Sequence, residues 1–221
     1  MNLFDDLDEA DRALLLDGVH RHRFARDEFI LAQEDNTDDV FFVFNGVARA
    51  TIFGSDGSFV GYRDISDGEL FGEFAAIDGK PRSASVIAVE DCEVGIITAA
   101  RFRNVVRENP RIAWVIIQHL TGQARAMTQR IFEYSTMLVR ERLIREILRM
   151  AESGDETDEG LAISPAPSQV TLASRISTHR EGISREMSRL MKLGILSRRK
   201  DALIVHRRDD LEALLERADL V

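Results

Sequence analysis

Residues 71–86, FGEFAAIDGKPRSASV, place a carboxylate and a guanidinium nine residues apart around one short, glycine-bounded segment. Gly72 allows a backbone to approach a ligand closely. Residues Glu73 to Ile77 can form a short helical turn, whose first amides favour an anion. Arg82 carries a planar fork of donors that can hold two phosphate oxygens at once. A carboxylate and an arginine flanking one loop suit a small ligand with both hydroxyl and phosphate groups. The same two residues also fit an exposed ion pair, and their types alone do not separate these readings.

A second constellation lies near the C-terminus. SQVTLASRI reads as a short helix over Ser168–Ile176 capped by Ser168. Ser177, Thr178 and His179 form a turn, and a second helix runs from Arg180 to Leu193. It buries Ile183, Met187 and Leu190, spaced four and three, and presents Arg180, Glu181, Ser184, Arg185 and Ser188 on the opposite face. Gly194 suits a helix terminator, and ILSRRKDALIVH reads as a two-stranded wing. Arginine can donate to guanine O6 and N7, and glutamate can accept from cytosine N4. Arg175, Arg198, Arg199 and Lys200 suit phosphate contacts.

The elements that position these groups follow from patterning. Asn45-Gly46, Asp56-Gly57, Asp67-Gly68 and Asp78-Gly79 recur every 11 residues and read as strand-reversal turns. Runs such as VFFVF and ARATIF lie between them, so short strands at this spacing predict a β-sandwich or roll. Strand patterning resumes at SASVIAVEDCEVGIIT, and a short helix over Ala99–Glu108 leads to Pro110. Beyond it, Ala113, Ile117, Leu120, Ala124, Met127, Ile131, Tyr134 and Leu138 alternate spacings of four and three, a heptad seam suited to a two-stranded coiled coil. A helix over roughly Val139–Ser153 follows, then SGDETDEGLAISPAPS, which reads as a surface loop.

The net charge of −9 is unevenly spread: residues 1–137 carry 14 basic and 23 acidic residues, whereas 169–208 carry 10 basic and 3 acidic. A basic patch confined to one end of an acidic chain fits a DNA-binding surface. No apolar run approaches the length of a membrane span, and the acidic start MNLFDDLDEADR has the wrong sign for a secretory leader. The expectation is a soluble, cytoplasmic protein. Its single cysteine, Cys92, sits in a strand-like run and can form neither an internal disulfide nor a four-cysteine cluster. There is no nucleophile–base pairing, no metal-ligand spacing and no Gly-rich triphosphate loop, so neither an enzyme nor a metal protein is expected.

The segment ISTHREGISREMSRLMKLGIL resembles the DNA-reading helix-turn-helix of the cyclic-AMP receptor protein (CRP/FNR) family. The R-E-x-x-x-R pattern of its cyclic-AMP receptor branch falls on Arg180, Glu181 and Arg185. The resemblance implies that the two arginines contact guanines, and Glu181 a cytosine, of a palindromic TGTGA-type half-site. His179 stands where a small hydroxyl residue is usual, and Gly182 inside the helix costs about 1 kcal/mol of propensity. Residues 71–86 are likewise similar to the phosphate-binding cassette of cyclic-nucleotide-binding domains, F-G-E-x-A-x-I-x-G-x-P-R-x-A-x-V. There the acidic residue holds the ribose 2′-hydroxyl and the arginine the cyclic phosphate. Those roles carry to Glu73 and Arg82, with backbone contacts at Gly72 and Phe74 and a hydroxyl at Ser83. The two adjacent base-contacting hydroxyl positions of the receptor-protein branch fall on Met127 and Thr128.

The resemblance implies an α+β chain: a β-roll of double-stranded jelly-roll type that binds cyclic nucleotide (1–109), a dimerisation helix (110–137) and a winged helix-turn-helix (138–221), with a hinge near 136–139. The expected effector is cAMP first and cGMP second. The expected partners are double-stranded DNA, a second copy through residues 110–138, and RNA polymerase. Alternatives keep the DNA-binding role with haem, 2-oxoglutarate or no ligand; His20 and His22 are the conceivable haem ligands, though HRHR reads as an exposed turn. A non-DNA-binding regulatory subunit is the remote alternative.

Overall fold

The computed structural model describes residues 3–55, 59–152 and 154–216. The chain divides into two compact units, Met1–Met127 and Thr128–Val221, so the division falls inside one long helix.

The first unit opens with a 3-10 turn (Leu3–Asp6) and α1 (Glu9–Leu16), whose Asp11 amide is capped by the Asp8 side chain. Eight strands follow: β1 (His20–Phe24), β2 (Phe29–Leu31), β3 (Val40–Asn45), β4 (Ala48–Phe53), β5 (Phe59–Ile65), β6 (Leu70–Phe71), β7 (Ser85–Ala88) and β8 (Cys92–Ile97). The helix α2 (Glu73–Asp78) interrupts them between β6 and β7. They form two four-stranded antiparallel sheets, ordered β1-β8-β3-β6 and β2-β7-β4-β5. Strand β3 shows why the core is built this way. Its side chains alternate, sending Phe41 and Val43 into a core shared with Ala50, Ile65, Val86 and Val94 of both sheets. Val40 and Phe42 point the other way, against Leu3, Leu15 and Ile97 and the helices α3 (Ala99–Glu108) and α4 (Pro110–Thr136). A strand buried on both faces reads as the continuous apolar run VFFVF rather than an alternation.

Three of the four expected turns differ from strand-reversing hairpins. Gly46 and Gly68, both at positive φ, carry the chain from one sheet to the other, and Gly79 ends α2 as its left-handed cap. The dipeptide pattern marks positive φ, and any tight change of direction uses it. The β4–β5 pair is a true antiparallel hairpin, but its expected turn, Asp56-Gly57, lies outside the described residues. HRHR is not a turn either: it is the body of β1, paired along its length with β8, with His20 and His22 exposed. Cys92 is buried on β8, its thiol 3.1 Å from the Val47 and Glu90 carbonyl oxygens.

The second unit packs α5 (Val139–Glu152), α6 (Gln169–Arg175), α7 (Arg180–Lys192) and α8 (Arg208–Glu216) around one apolar core. Leu143, Ile147, Leu172, Ile183, Met187 and Leu190 are its centre. Its sheet, ordered β11-β12-β10-β9, joins the expected wing, β11 (Leu196–Arg199) and β12 (Ala202–Val205), to β9 (Asp155–Thr157) and β10 (Gly160–Ile163). The acidic stretch expected as a surface loop is therefore a hairpin added to the wing. Ala162 and Ile163 are buried, while the acidic β9 is an exposed edge strand. Charged edges are a common way to prevent further strand pairing, and here the charge hid the strand.

The seam of α4 needs a correction of register. Leu120 packs on the core of the first unit, and the Tyr134 hydroxyl donates to the Arg175 carbonyl at 2.8 Å. The exposed stripe instead runs through 114, 117, 121, 124, 128, 131, 135 and 138, with Trp114 61% and Ile131 66% exposed. Spacing specifies a 3.5-residue period but not which of two adjacent apolar faces the helix's own chain uses.

Candidate functional site

Helix α2 starts where the chain leaves β6 at Gly72, whose φ of 82° suits glycine. A Cβ there would lie 2.8 Å from Arg82 Nη1 and 2.9 Å from the Asp39 carbonyl, so glycine is also what lets Arg82 reach this point. Arg82 is 3% exposed. Its Nε donates to Thr37 Oγ1 at 3.0 Å, Nη1 to the Gly72 carbonyl and Nη2 to the Asp39 carbonyl, each at 2.9 Å. The backbone at 82 is pinned by bonds with Asp35 and Glu34. Every one of these acceptors is neutral, and among the described residues Arg82 makes no ion pair. Burial accordingly pulls its pKa below the usual arginine value, with Asp39, Asp38 and Asp35 acting from a distance in the other direction. Each terminal nitrogen keeps one N–H unused. A buried cation held by carbonyls, with donors to spare, has the chemistry to hold an anion.

Glu73, also 3% exposed, lines the same cavity. Burial raises its pKa, opposed by the hydrogen bond from Gln123. Gln123 Nε2 lies 2.9 Å from Glu73 Oε1 and 2.7 Å from His119 Nε2. His119 is buried and, chiefly through desolvation, held down to about 4, so it is neutral near pH 7. An amide donating to both neighbours makes His119 Nε2 an acceptor and puts the ring proton on Nδ1. Gly72, Glu73, Phe74, Arg82 and Ser83 are brought together at this cavity of about 40 Å³; Met127 and Thr128 are not among its lining residues. Sequence reasoning missed Gln123. Gln123 lies four residues before Met127 on one helix face, a signal that could have found it.

In the second unit, Ser168 caps α6 by accepting from the Thr171 amide at 3.0 Å, and a turn through Ser177 at positive φ leads into α7. His179, Arg180, Glu181 and Arg185 are exposed, with Ser184 half-buried beside them. Arg180 makes only a 3.5 Å contact to Gln169, and Glu181 and Arg185 make no side-chain hydrogen bond or ion pair among the described residues. Arg189, by contrast, is occupied by Glu186 at 2.6 Å. The free edges of α7 thus belong to the residues expected to read bases. Beside them lies a groove of about 460 Å³ lined by Val139, Arg140, Thr178 and Gly182.

Arg175 departs from its expected phosphate role. It is half-buried against Glu146 at 2.6 Å, and Glu146 also meets Arg130 at 2.9 Å and Arg149 at 3.5 Å. Glu133 completes the cluster through Arg149 at 2.7 Å. The carbonyl of Arg175, near the end of α6, accepts from both Arg130 and Tyr134. This network ties the last turns of α4 to α5 and α6.

Residues 21–109 match the family described as the cyclic nucleotide-binding domain, and residues 141–214 match the Crp-like helix-turn-helix domain. The cAMP-activated global transcriptional regulator Vfr of Pseudomonas aeruginosa is 23% identical over 197 residues, covering 86% of this chain and 91% of that protein. The corresponding regulator CRP of Salmonella typhimurium is 19% identical over 192 residues, with the same coverage of 86% and 91%. The solved structure of CLP, the c-di-GMP-responsive global regulator of Xanthomonas campestris, superposes with a TM-score of 0.81. It is 19% identical and covers 90% of this chain and 100% of that one, so the fold is shared. No helix among the described residues is long and apolar enough to cross a membrane. With a β-rich nucleotide-binding domain, a long helix and a Crp-like helix-turn-helix in that order, the chain belongs to the CRP/FNR family of DNA-binding transcription regulators.

Proposed function

We propose that this chain is a homodimeric transcription regulator gated by a cyclic nucleotide held at Arg82 and Glu73. The observation that carries the ligand half is the buried Arg82, whose charge no carboxylate among the described residues contacts. The cyclic phosphate supplies the missing counter-charge, and Glu73 accepts from the ribose 2′-hydroxyl, with Gly72, Phe74 and Ser83 around the phosphate. Binding requires the cavity to widen, because small-molecule sites usually hold about 300–1,000 Å³. Gln123, which now occupies Glu73 Oε1, is the side chain that yields, and it sits on α4. A ligand can bias the chain only by binding its DNA-competent arrangement more tightly than the other. Displacing a hydrogen bond anchored on α4 provides such a difference. The domain division used in this reading is 1–109, 110–137 and 138–221.

On the DNA side, Arg180 and Arg185 donate to guanines and Glu181 accepts from a cytosine of a palindromic TGTGA-type operator, with His179 and Ser184 at the edges. Two copies pair through the exposed stripe of α4, which includes Thr128, and Met127 lies next to it. Vfr and CRP are described as cAMP-activated, and RNA polymerase is the expected downstream partner. A second reading, DNA binding without an effector, is favoured by the 40 Å³ cavity alone.

Isothermal titration of the full-length protein with cAMP and cGMP tests the ligand site. Replacing Arg82 leaves a buried phosphate unpaired, a loss of roughly 2–5 kcal/mol, or about 30-fold and more in affinity. Both Arg82→Ala and Arg82→Gln should show it, with unchanged circular dichroism. Wild-type affinity in either variant would refute the assignment. Absent nucleotide binding with operator binding retained would select the second reading.

A further inference from the structure

Arg82 is held mostly from outside its own cassette. Residues 34–39, EDNTDD, lie in the loop from β2 to β3 and carry four carboxylates. The backbone of this loop brackets Arg82: the Glu34 amide donates to the Arg82 carbonyl at 3.0 Å, and the Arg82 amide to the Asp35 carbonyl at 2.9 Å. The Asp39 carbonyl accepts from Nη2. Four of the six loop residues are acidic, yet the loop side chain that bonds the guanidinium is neutral: Thr37 Oγ1 accepts from Nε at 3.0 Å. Asp38, next in the chain, turns its carboxylate to Arg103 at 3.4 Å, and Arg103 also donates to the Ala76 carbonyl of α2 at 2.9 Å. Within residues 71–86, only the Gly72 carbonyl bonds the guanidinium among the described residues.

Resting on the cyclic-nucleotide reading above, we infer that Thr37 is a positioning residue for the nucleotide phosphate: its hydroxyl aims the Arg82 fork and leaves the charge of that fork for the ligand. Nε sits on the stem of the side chain, so its partner fixes the plane of the guanidinium and the direction of both terminal nitrogens. An unpartnered Nε frees that plane to turn, and a fork that turns loses its match to two phosphate oxygens. A carboxylate at position 37 would aim the fork equally well, but it would supply the counter-charge that the phosphate brings. A hydroxyl accepts the same hydrogen bond without charge.

Titrations of the full-length protein with cAMP and cGMP, paired with thermal melts, test this on three variants of a residue that is itself exposed. Thr37→Ser keeps the hydroxyl and should bind within about twofold of wild type. Thr37→Val keeps the shape and removes the acceptor, and should bind about three- to tenfold more weakly, the effect of one neutral hydrogen bond. Thr37→Asp keeps an acceptor and adds a charge. It should bind at least about tenfold more weakly than wild type while melting no lower, because the buried guanidinium gains an ionic partner. A purely structural role for Thr37 would instead make affinity follow the melting temperature in all three variants. Wild-type affinity in either Thr37→Val or Thr37→Asp overturns this inference and leaves the cyclic-nucleotide reading standing. If neither nucleotide binds the wild-type protein, that reading falls and this inference with it.

Discussion

Glu146 is fully buried, and its carboxylate contacts Arg130, Arg149 and Arg175 together. Glu146→Ala would leave Arg149 with Glu133 at 2.7 Å, but would take from Arg130 and Arg175 the carboxylate they share in a site that little water reaches. Breaking a buried pair by removing one partner costs about 3–5 kcal/mol. Over a unit of this size, each kcal/mol moves the melting temperature by roughly 4–8 °C, so the second unit should melt about 12–40 °C lower. Scanning calorimetry is the suitable assay, because a two-unit chain need not unfold in one step. Glu146→Gln keeps the acceptor atoms without the charge and should fall between wild type and alanine. Glu152→Ala, exposed on the same helix, should stay within about 0.5 kcal/mol of wild type. If Glu146→Ala melts no lower than Glu152→Ala, the cluster does not hold α4, α5 and α6 together as described.

Three further outcomes follow from the geometry. His119 has a folded pKa of about 4 against an ordinary 6.5, so the unfolded chain binds the extra proton first. The stability it contributes is complete above pH 6.5 and is lost as pH falls toward 4, at most roughly 3 kcal/mol; His119→Gln should flatten that part of the pH–melting profile of the first unit. Gly72→Ala forces a positive φ onto alanine and crowds Arg82 Nη1. It should cost about 1–3 kcal/mol of stability by chemical denaturation and weaken nucleotide binding in the same titration used for Arg82. Arg185→Ala should lower operator affinity by about 1–3 kcal/mol while leaving affinity for unrelated duplex little changed, as read by gel shift at one fixed salt concentration.

The second unit's reading helix was the most legible part of the sequence. Ser168 marks the start of α6, and Arg180 and Gly194 the ends of α7, by local chemistry that needs no tertiary contact: a capping oxygen, a change of period, a left-handed terminator. The cassette from Gly72 to Ser83 was legible for the same reason, since one short loop contains it. What escaped was long-range. Arg175 looked like a phosphate contact because its charge is visible and its partner Glu146, 29 residues earlier, is not. The β9–β10 hairpin was hidden by edge-strand charge. The seam of α4 kept its period but turned by about one residue, because Leu120 and Tyr134 are spent on packing within their own units.

The central claim is that a cyclic nucleotide at Arg82 governs DNA reading by α7. Fluorescence anisotropy of full-length protein on a labelled palindromic TGTGA-type duplex, with and without cyclic nucleotide at fixed salt, tests it most directly. The account predicts that the nucleotide tightens binding to the palindrome by at least about fivefold, with no such gain in Arg82→Ala. Equal affinity with and without nucleotide, or no preference for the palindrome over a scrambled duplex, would contradict it.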